Sequence, residues 1–439
     1  MIVNTGSLLP LTPVDELGCY VDDPLQPNNI HLEVRLDGHL DPVRLRAAVL
    51  TMLAAHPLAR VRRRRWHGWH RRFHWEITGA PDVPPIDHVR WQSEEELAAH
   101  RQSLLVSAPV LDLAPPLRIM HAVGPDRDAL ILNVHHAVMD GLSCLRLLHS
   151  IARCYAGRPD PVDAGSTILR VPPRPKDRQG PRIRYLRSAT RIAVDTADPG
   201  PGGGFHLLSI PIDTVRSGPR RPSATVNDLL IAALVLTVEE WNEKHGGSAD
   251  TIRVTMPVNA RATAGADGPL GNLSRLVVIA NDPAHRRSLG GLLTDITSQT
   301  TEAKAIGGPQ IDRLSRLFTT PWLPVAVKAR LLVTARRLAG PAVGDTALLS
   351  NLGAVRDPPD FGPGARPVGL WFSPSVRLPA GLSIGVVTLG RQLNVCFRYR
   401  RELLDPLAAA RFAAMFHAAL GAIGDPRFGS AEVASGNSR

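Results

Sequence analysis

The chain has 439 residues, 51 Lys and Arg against 40 Asp and Glu for a formal charge of +11, and 44% hydrophobic and 21% charged residues. That length exceeds one ordinary core and suits two, and the composition is that of a folded globular protein, not a disordered or fibrous one. No apolar run reaches the roughly 18 residues of a transmembrane segment, and the start, Met1 to Gly6, lacks the basic and then apolar pattern of a signal peptide. Four scattered cysteines (Cys19, Cys144, Cys154 and Cys396) form neither a CxxC pair nor a disulfide framework, so a cytoplasmic protein with reduced thiols is expected. Aromatic residues are only 5%, which argues against a stacking platform for single-stranded nucleic acid. The basic excess then points to an anionic small molecule or an acidic protein partner, or to arginine usage unconnected with any ligand.

In chain order, Leu9-Pro10-Leu11-Thr12-Pro13-Val14-Asp15-Glu16 opens the sequence, and Asn29 to Leu36 alternates as a strand. Asp41-Pro42 supplies an N-cap and a first-turn proline for a helix that buries Leu45, Ala48, Val49, Met52 and Leu53 and stops before Pro57. His56-Pro57-Leu58-Ala59-Arg60 follows, then an arginine-rich stretch, Arg62 to Trp75, which interleaves cations with aromatics and reads as a hairpin with rings inward and arginines in solvent. Ser93-Glu94-Glu95-Glu96 is a capping box for a helix to about Ser107. Leu117 to Val123 and the apolar run from Ala129 predict a strand hairpin. From Gly141 the apolar positions Leu142, Leu145, Leu148 and Ile151 recur at helical spacing.

Between that strand and that helix stands His135-His136-Ala137-Val138-Met139-Asp140-Gly141. A junction of this kind exposes side chains at the edge of a rigid scaffold. An imidazole there can take a proton from a hydroxyl or amine as it attacks. The alternatives are core histidines satisfied by backbone, or a metal site. Adjacent histidines on extended backbone point to opposite sides and do not converge on one ion, so no metal is expected.

The second half starts after a Pro- and cation-rich stretch, 161–204, that reads as a linker ending in Asp198 to Gly204. A strand is predicted over Phe205 to Ile212 and a long apolar helix after Thr225-Val226-Asn227-Asp228. Strands at Val254 to Arg261 and Leu276 to Ala280 flank a loop that includes Leu270-Gly271-Asn272. Helices near Leu289 to Ala305 and Pro324 to Leu338 precede a strand at Ala347 to Gly353, a segment Asp360-Phe361-Gly362-Pro363-Gly364, two strands at Leu382 to Leu389 and Gln392 to Tyr399, and a last helix opened by Asp405-Pro406. The tail after Pro426 is polar and reads as frayed.

His135-His136-x-x-x-Asp140-Gly141 resembles the HHxxxDG signature of the condensation-domain and chloramphenicol acetyltransferase-like superfamily of thioester-dependent acyltransferases. That superfamily includes nonribosomal-peptide condensation domains, polyketide-associated acyltransferases and wax ester synthases. Weaker similarities fall in the same order: the opening Leu-Thr-x-x-Asp segment, His56 to Arg60, Thr225 to Asp228, Gly271-Asn272, Ser350-Asn351-x-Gly353 and the segment from Asp360. The resemblance implies an α/β fold of two acetyltransferase-like lobes with mixed sheets and an active-site channel between them. The corresponding domains are 1–160, a linker 161–204, and 205–439.

For function, the resemblance implies transfer of an acyl group from a CoA or carrier-protein thioester to a small-molecule or lipid alcohol or amine. His136 would be the general base. His135, Asp140, Gly141 and Arg60 would be structural, with Arg60 pairing to Asp140, or Arg62 in its place. Gly141 N–H, Asn272, Ser350 and Asn351 would be candidate oxyanion or substrate contacts. No tightly bound cofactor is implied, acyl-CoA or acyl-phosphopantetheine being a co-substrate, and neither a nucleic-acid partner nor a transmembrane segment is expected; a monomer is the default. Cations for the donor's phosphates are expected in the Arg62–Arg65 run or around Arg174 to Arg187. Two alternatives remain: a wax ester or acylglycerol synthase-like O-acyltransferase, favoured by Thr225 to Asp228, and a non-catalytic scaffold that binds carrier proteins.

Overall fold

The computed structural model describes residues 5–160, 189–216, 224–259, 261, 270–305, 320–339 and 344–424. The expected cations around Arg174 to Arg187 and the tail after Pro426 lie outside the described residues. The fold is α/β, with three sheets. A five-stranded mixed sheet has β5 (Ile86–Arg90), β6 (Leu117–Val123), β7 (Arg127–His135), β2 (Asn29–Asp37) and β12 (Arg366–Ser373) side by side. A six-stranded mixed sheet runs β10 (Ser274–Asn281), β9 (Ile252–Asn259), β11 (Ala347–Val355), β13 (Leu382–Leu389), β14 (Gln392–Arg400) and β8 (Gly203–Pro211). A small sheet joins β1 (Leu8–Pro10), β4 (His74–Ile77) and β3 (Val61–Arg63).

The unbroken apolar run in β7 has a simple cause. Leu130, Leu132 and Val134 face one core, shared with α2 (Pro42–Ala55) and α4 (Gly141–Tyr155). Ala129 and Ile131 face a second, smaller cluster with Leu97 of α3 (Glu94–Leu105). A central strand covered on both faces alternates between two cores and not between core and water. The six-stranded sheet is covered by α6 (Val226–Lys244), α7 (Leu289–Ala305) and the last helix (Pro406–Gly424). That last helix is apolar and long enough to cross a membrane by composition, but here Phe412, Phe416 and Leu420 are core residues of the second half.

The structure departs from the sequence reading in two places. No strand is predicted over 366–373, yet β12 is there, and it pairs antiparallel with β2 from Arg366–Asp37 to Ser373–His31. The chain from 205 onward is therefore not confined to one lobe: one strand crosses over to complete the first sheet. The expected linker is likewise shorter. Ile192 belongs to the second core, and Thr190 N–H donates to the Thr251 carbonyl at 2.8 Å.

The crossover brings the sheets into direct contact. A Cβ on Gly385 of β13 would overlap the Phe372 carbonyl of β12, so glycine is required at that approach. Arg398 of β14 donates to the Asn29 carbonyl at 2.9 Å and to the Asn29 side-chain oxygen at 2.5 Å. Burial, with the Arg400 and Arg377 charges nearby, pushes this guanidinium down to about 10.

Candidate active site

The site is the turn between β7 and α4. Asp140 is the N-cap of α4, and its Oδ1 accepts from the Ser143 N–H at 3.0 Å. This satisfies an orphan donor of the helix start. Gly141 begins the helix where a Cβ would lie 2.6 Å from the Phe372 ring and 2.9 Å from Leu352. The turn is thus packed against β12 and β11 at a position with no room for a side chain.

The two histidines diverge. His135 is fully buried; its Nδ1 accepts from the Ala137 N–H at 3.1 Å, so its Nε2 carries the proton and donates to Asp22 at 3.1 Å. Burial raises the Asp22 carboxyl, but the hydrogen bond from His135, with the nearby Arg377 and Arg63 charges, outweighs it and leaves it below the usual range. His136 turns the other way. Its Nδ1 lies 3.0 Å from the Met139 carbonyl, which can only accept, so Nδ1 carries the proton. In the neutral ring Nε2 is then the lone-pair nitrogen. Burial pushes the His136 pKa below its ordinary value, against the opposing pull of Asp140. A ring held neutral, with one nitrogen fixed as donor and the other as acceptor, can act as a general base.

Asp140 does not pair with Arg60. Both of its oxygens are held by Arg261, at 2.7 and 2.9 Å, and Oδ2 also accepts from the Leu273 N–H at 2.9 Å and the Ser274 hydroxyl at 3.2 Å. Burial raises the Asp140 carboxyl, but the Arg261 charge and these donors together bring it below the usual range. Arg60 instead ends a short 3-10 turn (Pro57–Arg60), where its carbonyl accepts from the Thr78 N–H and hydroxyl at 3.1 and 2.8 Å. It sits beside the small sheet, whereas Asp140 faces the loop between β9 and β10. Arg62 is no substitute, since it pairs with Glu76 and Asp82 at 3.1 and 3.0 Å.

That loop grips the turn at several points. Ser143 Oγ donates to the Gly271 carbonyl at 2.9 Å and accepts from the Gly271 N–H at 3.0 Å. Asn272 donates its amide to the His136 carbonyl at 2.9 Å and to Asp15 at 3.1 Å. Both bonds use the nitrogen that an oxyanion contact would need, so Asn272 braces the histidine turn and the expected oxyanion role is corrected. Asp15 stands in α1 (Pro13–Tyr20), where it forms a capping box with Thr12, and burial pushes its carboxyl up to about 6.

Ser350 lies on β11 opposite Gly385, one residue from Leu349 of the second core and two from Leu352, which touches the Gly141 position. Strand alternation puts it on the face away from Leu349. Asn351 Oδ1 accepts from the Gly353 N–H at 2.8 Å, which leaves its amide nitrogen as a donor. Thr225 and Asp228 form a capping box at the start of α6, and Asp228 also accepts from Thr300 at 2.7 Å. Helix capping accounts for Asp228. The segment from Asp360 is a turn in which Phe361 packs on Tyr155, with ring centroids 6.0 Å apart.

No family model matches the chain. Its fold matches the first condensation domain of the calcium-dependent antibiotic synthetase, with a TM-score of 0.69 and 16% identity over 96% of this chain and 98% of that one. The starter condensation domain of rhizomide synthetase RzmA, a mutant solved in complex with C8-CoA and Leu-SNAC, matches with a TM-score of 0.64 and 12% identity over 95% and 94%. The chain thus has the fold of condensation domains. It belongs to the same family as the uncharacterized protein Rv2305 of Mycobacterium tuberculosis (strain H37Rv), with 33% identity over 93% of this chain and 98% of that protein. A putative diacylglycerol O-acyltransferase of the same organism, Rv3087, is 24% identical over 41% of this chain and 47% of its own length.

Proposed function

We propose that this protein transfers an acyl group from a thioester, on CoA or on a carrier's phosphopantetheine, to an alcohol or amine, with His136 as general base. One observation carries the reading: the His136 Nδ1–H is committed to the Met139 carbonyl, which leaves Nε2 as the proton acceptor. The acceptor's O–H or N–H gives its proton to Nε2 while its oxygen or nitrogen bonds to the thioester carbonyl carbon. The tetrahedral intermediate then collapses, the C–S bond breaks, and the proton on Nε2 passes to the leaving thiolate. The products are an ester or amide and a free thiol.

The developing oxyanion needs a donor at about 3 Å. Gly141 N–H at the start of α4, Ser350 and the Asn351 amide are the groups assigned to it. Asp140, Arg261, Asn272 and Ser143 do not touch substrate in this mechanism; they fix the turn so that His136 holds one orientation.

A lipid alcohol is the acceptor in the narrower version, an acylglycerol or wax ester synthesis. The similarity to Rv3087 supports it. A carrier-binding scaffold without chemistry is the remaining alternative. Intact-mass analysis after incubation with acyl-CoA and acyl-carrier panels and with alcohol and amine acceptors tests all three. Products that carry the acyl mass, and that are absent with His136→Ala, support the proposal. Binding of carriers with no transfer from any donor overturns it.

A further inference from the structure

The β3–β4 hairpin and the helix α8 (Val325–Ala339) together build a surface to which the proposed chemical steps assign no role. The helix docks on the hairpin through backbone: the Val325 N–H donates to the His70 carbonyl at 2.7 Å and the Ala326 N–H to the Gly68 carbonyl at 3.3 Å. Lys328, fully buried, donates to the Arg71 carbonyl at 2.8 Å and pairs at 3.0 Å with Glu16 of α1. The hairpin is therefore held at two points and is not a free loop.

This fixed frame holds a cleft of about 400 Å³ lined by Arg64, Arg65, Trp66, Trp69, Arg71 and Arg72, among others. Trp69 is 71% exposed, and Trp322, three residues before α8, is 79% exposed. On α8, Val327 and Leu331 stand one turn apart and are 40% and 44% exposed. Neither 63–75 nor 320–339 contains an Asp or a Glu. Arg62 and Arg63, at the foot of the hairpin, are matched by Glu76, Asp82 and Asp112. Arg64, Arg65, Arg71 and Arg72 make no ion pair among the described residues.

We infer that this face docks on an anionic lipid bilayer as a peripheral contact. Indoles are favoured at the headgroup level, where the ring is half desolvated and its N–H stays wet. Unpaired arginines on long stems reach lipid phosphates while their methylenes lie along apolar surface. Val327 and Leu331 supply aliphatic surface for the acyl boundary. A single-stranded oligonucleotide would use the rings and arginines but has no use for those aliphatic side chains, and an acidic protein would use the arginines and leave the indoles in water. The inference is independent of the acyl-transfer reading.

The test is flotation of the full chain with vesicles of phosphatidylcholine alone and of phosphatidylcholine mixed with phosphatidylglycerol. The expected result is partition onto the anionic vesicles only, lost at high salt because headgroup attraction is screened. Arg64→Glu with Arg65→Glu should weaken partition by more than about 30-fold, since each lost cation near such a surface accounts for about fivefold and the two added carboxylates are repelled as well. Trp69→Ala with Trp322→Ala should abolish the vesicle-induced blue shift of tryptophan emission. These side chains are exposed, so both pairs should keep the wild-type melting temperature, and the tryptophan pair should also keep turnover with water-soluble substrates. Equal partition onto both vesicle types, no partition, or partition unchanged in both pairs overturns the inference. So does a chain that ignores vesicles but loses oligonucleotide or acyl-CoA binding in the charge-reversed pair.

Discussion

Asp140 and Arg261 lie 121 positions apart and form a two-toothed ion pair, at 2.7 and 2.9 Å, with side chains only 4% and 2% exposed. One end caps the helix behind the histidine turn, and the other follows the last residues of β9. The pair therefore joins the lobes at the site itself, and the orientation of His136 depends on a residue of the second half.

Arg261→Ala should be more disruptive than any other arginine change near the site. Breaking a buried pair by removing one partner leaves an uncompensated charge, which costs about 3–5 kcal/mol. Asp140→Ala should cost a similar amount, and the double variant should cost much less than the sum, because the two act as one unit. Arg60→Ala should not couple to Asp140→Ala. Denaturant titrations of the four variants measure this; coupling between Arg60 and Asp140 would contradict the assigned partner.

In the proposed mechanism His136 is the base, so His136→Ala should lower kcat by roughly 10² to 10⁴ and leave the fold unchanged. The pH profile carries the sign of the shift. Burial lowers the His136 pKa from 6.5, so the neutral, active ring persists below pH 6.5 and the acid limb of kcat/KM falls there. The unfolded chain binds its proton at higher pH than the folded one, so His136 also makes the fold less stable as pH drops below 6.5. A rate profile with its acid limb above 6.5 would argue against this ring as the base.

Asp15 has the opposite sign. Its carboxyl rises from 3.8 to about 6 on folding. The folded state then holds the proton more tightly, and stability is lost as pH rises from about 4 to 6. The difference amounts to about 3 kcal/mol at neutral pH, given 1.36 kcal/mol for each pKa unit. Asp15→Asn removes this pH dependence, and because an amide offers one acceptor oxygen where Thr12 and Asn272 both donate, it should also loosen the brace on His136. Chemical denaturation of both proteins at pH 4.5 and 7.5 reads out the slope, which should be flatter in the variant.

Two glycine substitutions should act in opposite directions. Gly385→Ala pushes a Cβ into the Phe372 carbonyl and forces the sheets apart where β12 crosses, so the folded yield should fall steeply. Gly421, inside the last helix, has open space around the added methyl. Gly421→Ala should stabilise by about 0.5–1 kcal/mol through helix propensity. Thermal melts of the two variants give the comparison.

Much of the local structure was legible in the sequence. The strand–turn–helix that carries His136, the N-cap at Ser93 and the proline-led helix at Pro42 follow from short-range rules: hydrophobic period, side-chain capping and fixed proline geometry. The HHxxxDG resemblance pointed to the two-lobed fold because seven consecutive residues hold it. What the sequence did not disclose were the contacts between segments far apart. Residues 366–373 carry no alternating pattern, and Leu370, Trp371, Phe372 and Ser373 are all buried where the strand pairs with β2 of the other lobe. Arg60 and Arg261 are both arginines next to motif-like segments, and only their placement decides which one reaches Asp140. Asn272 looked like a free donor until the fold gave its amide to the His136 carbonyl. Periodicity and caps are properties of neighbours along the chain; the partner of a buried charge and the crossing of a strand depend on which surfaces the packed lobes bring together, and that is set only when the tertiary structure closes.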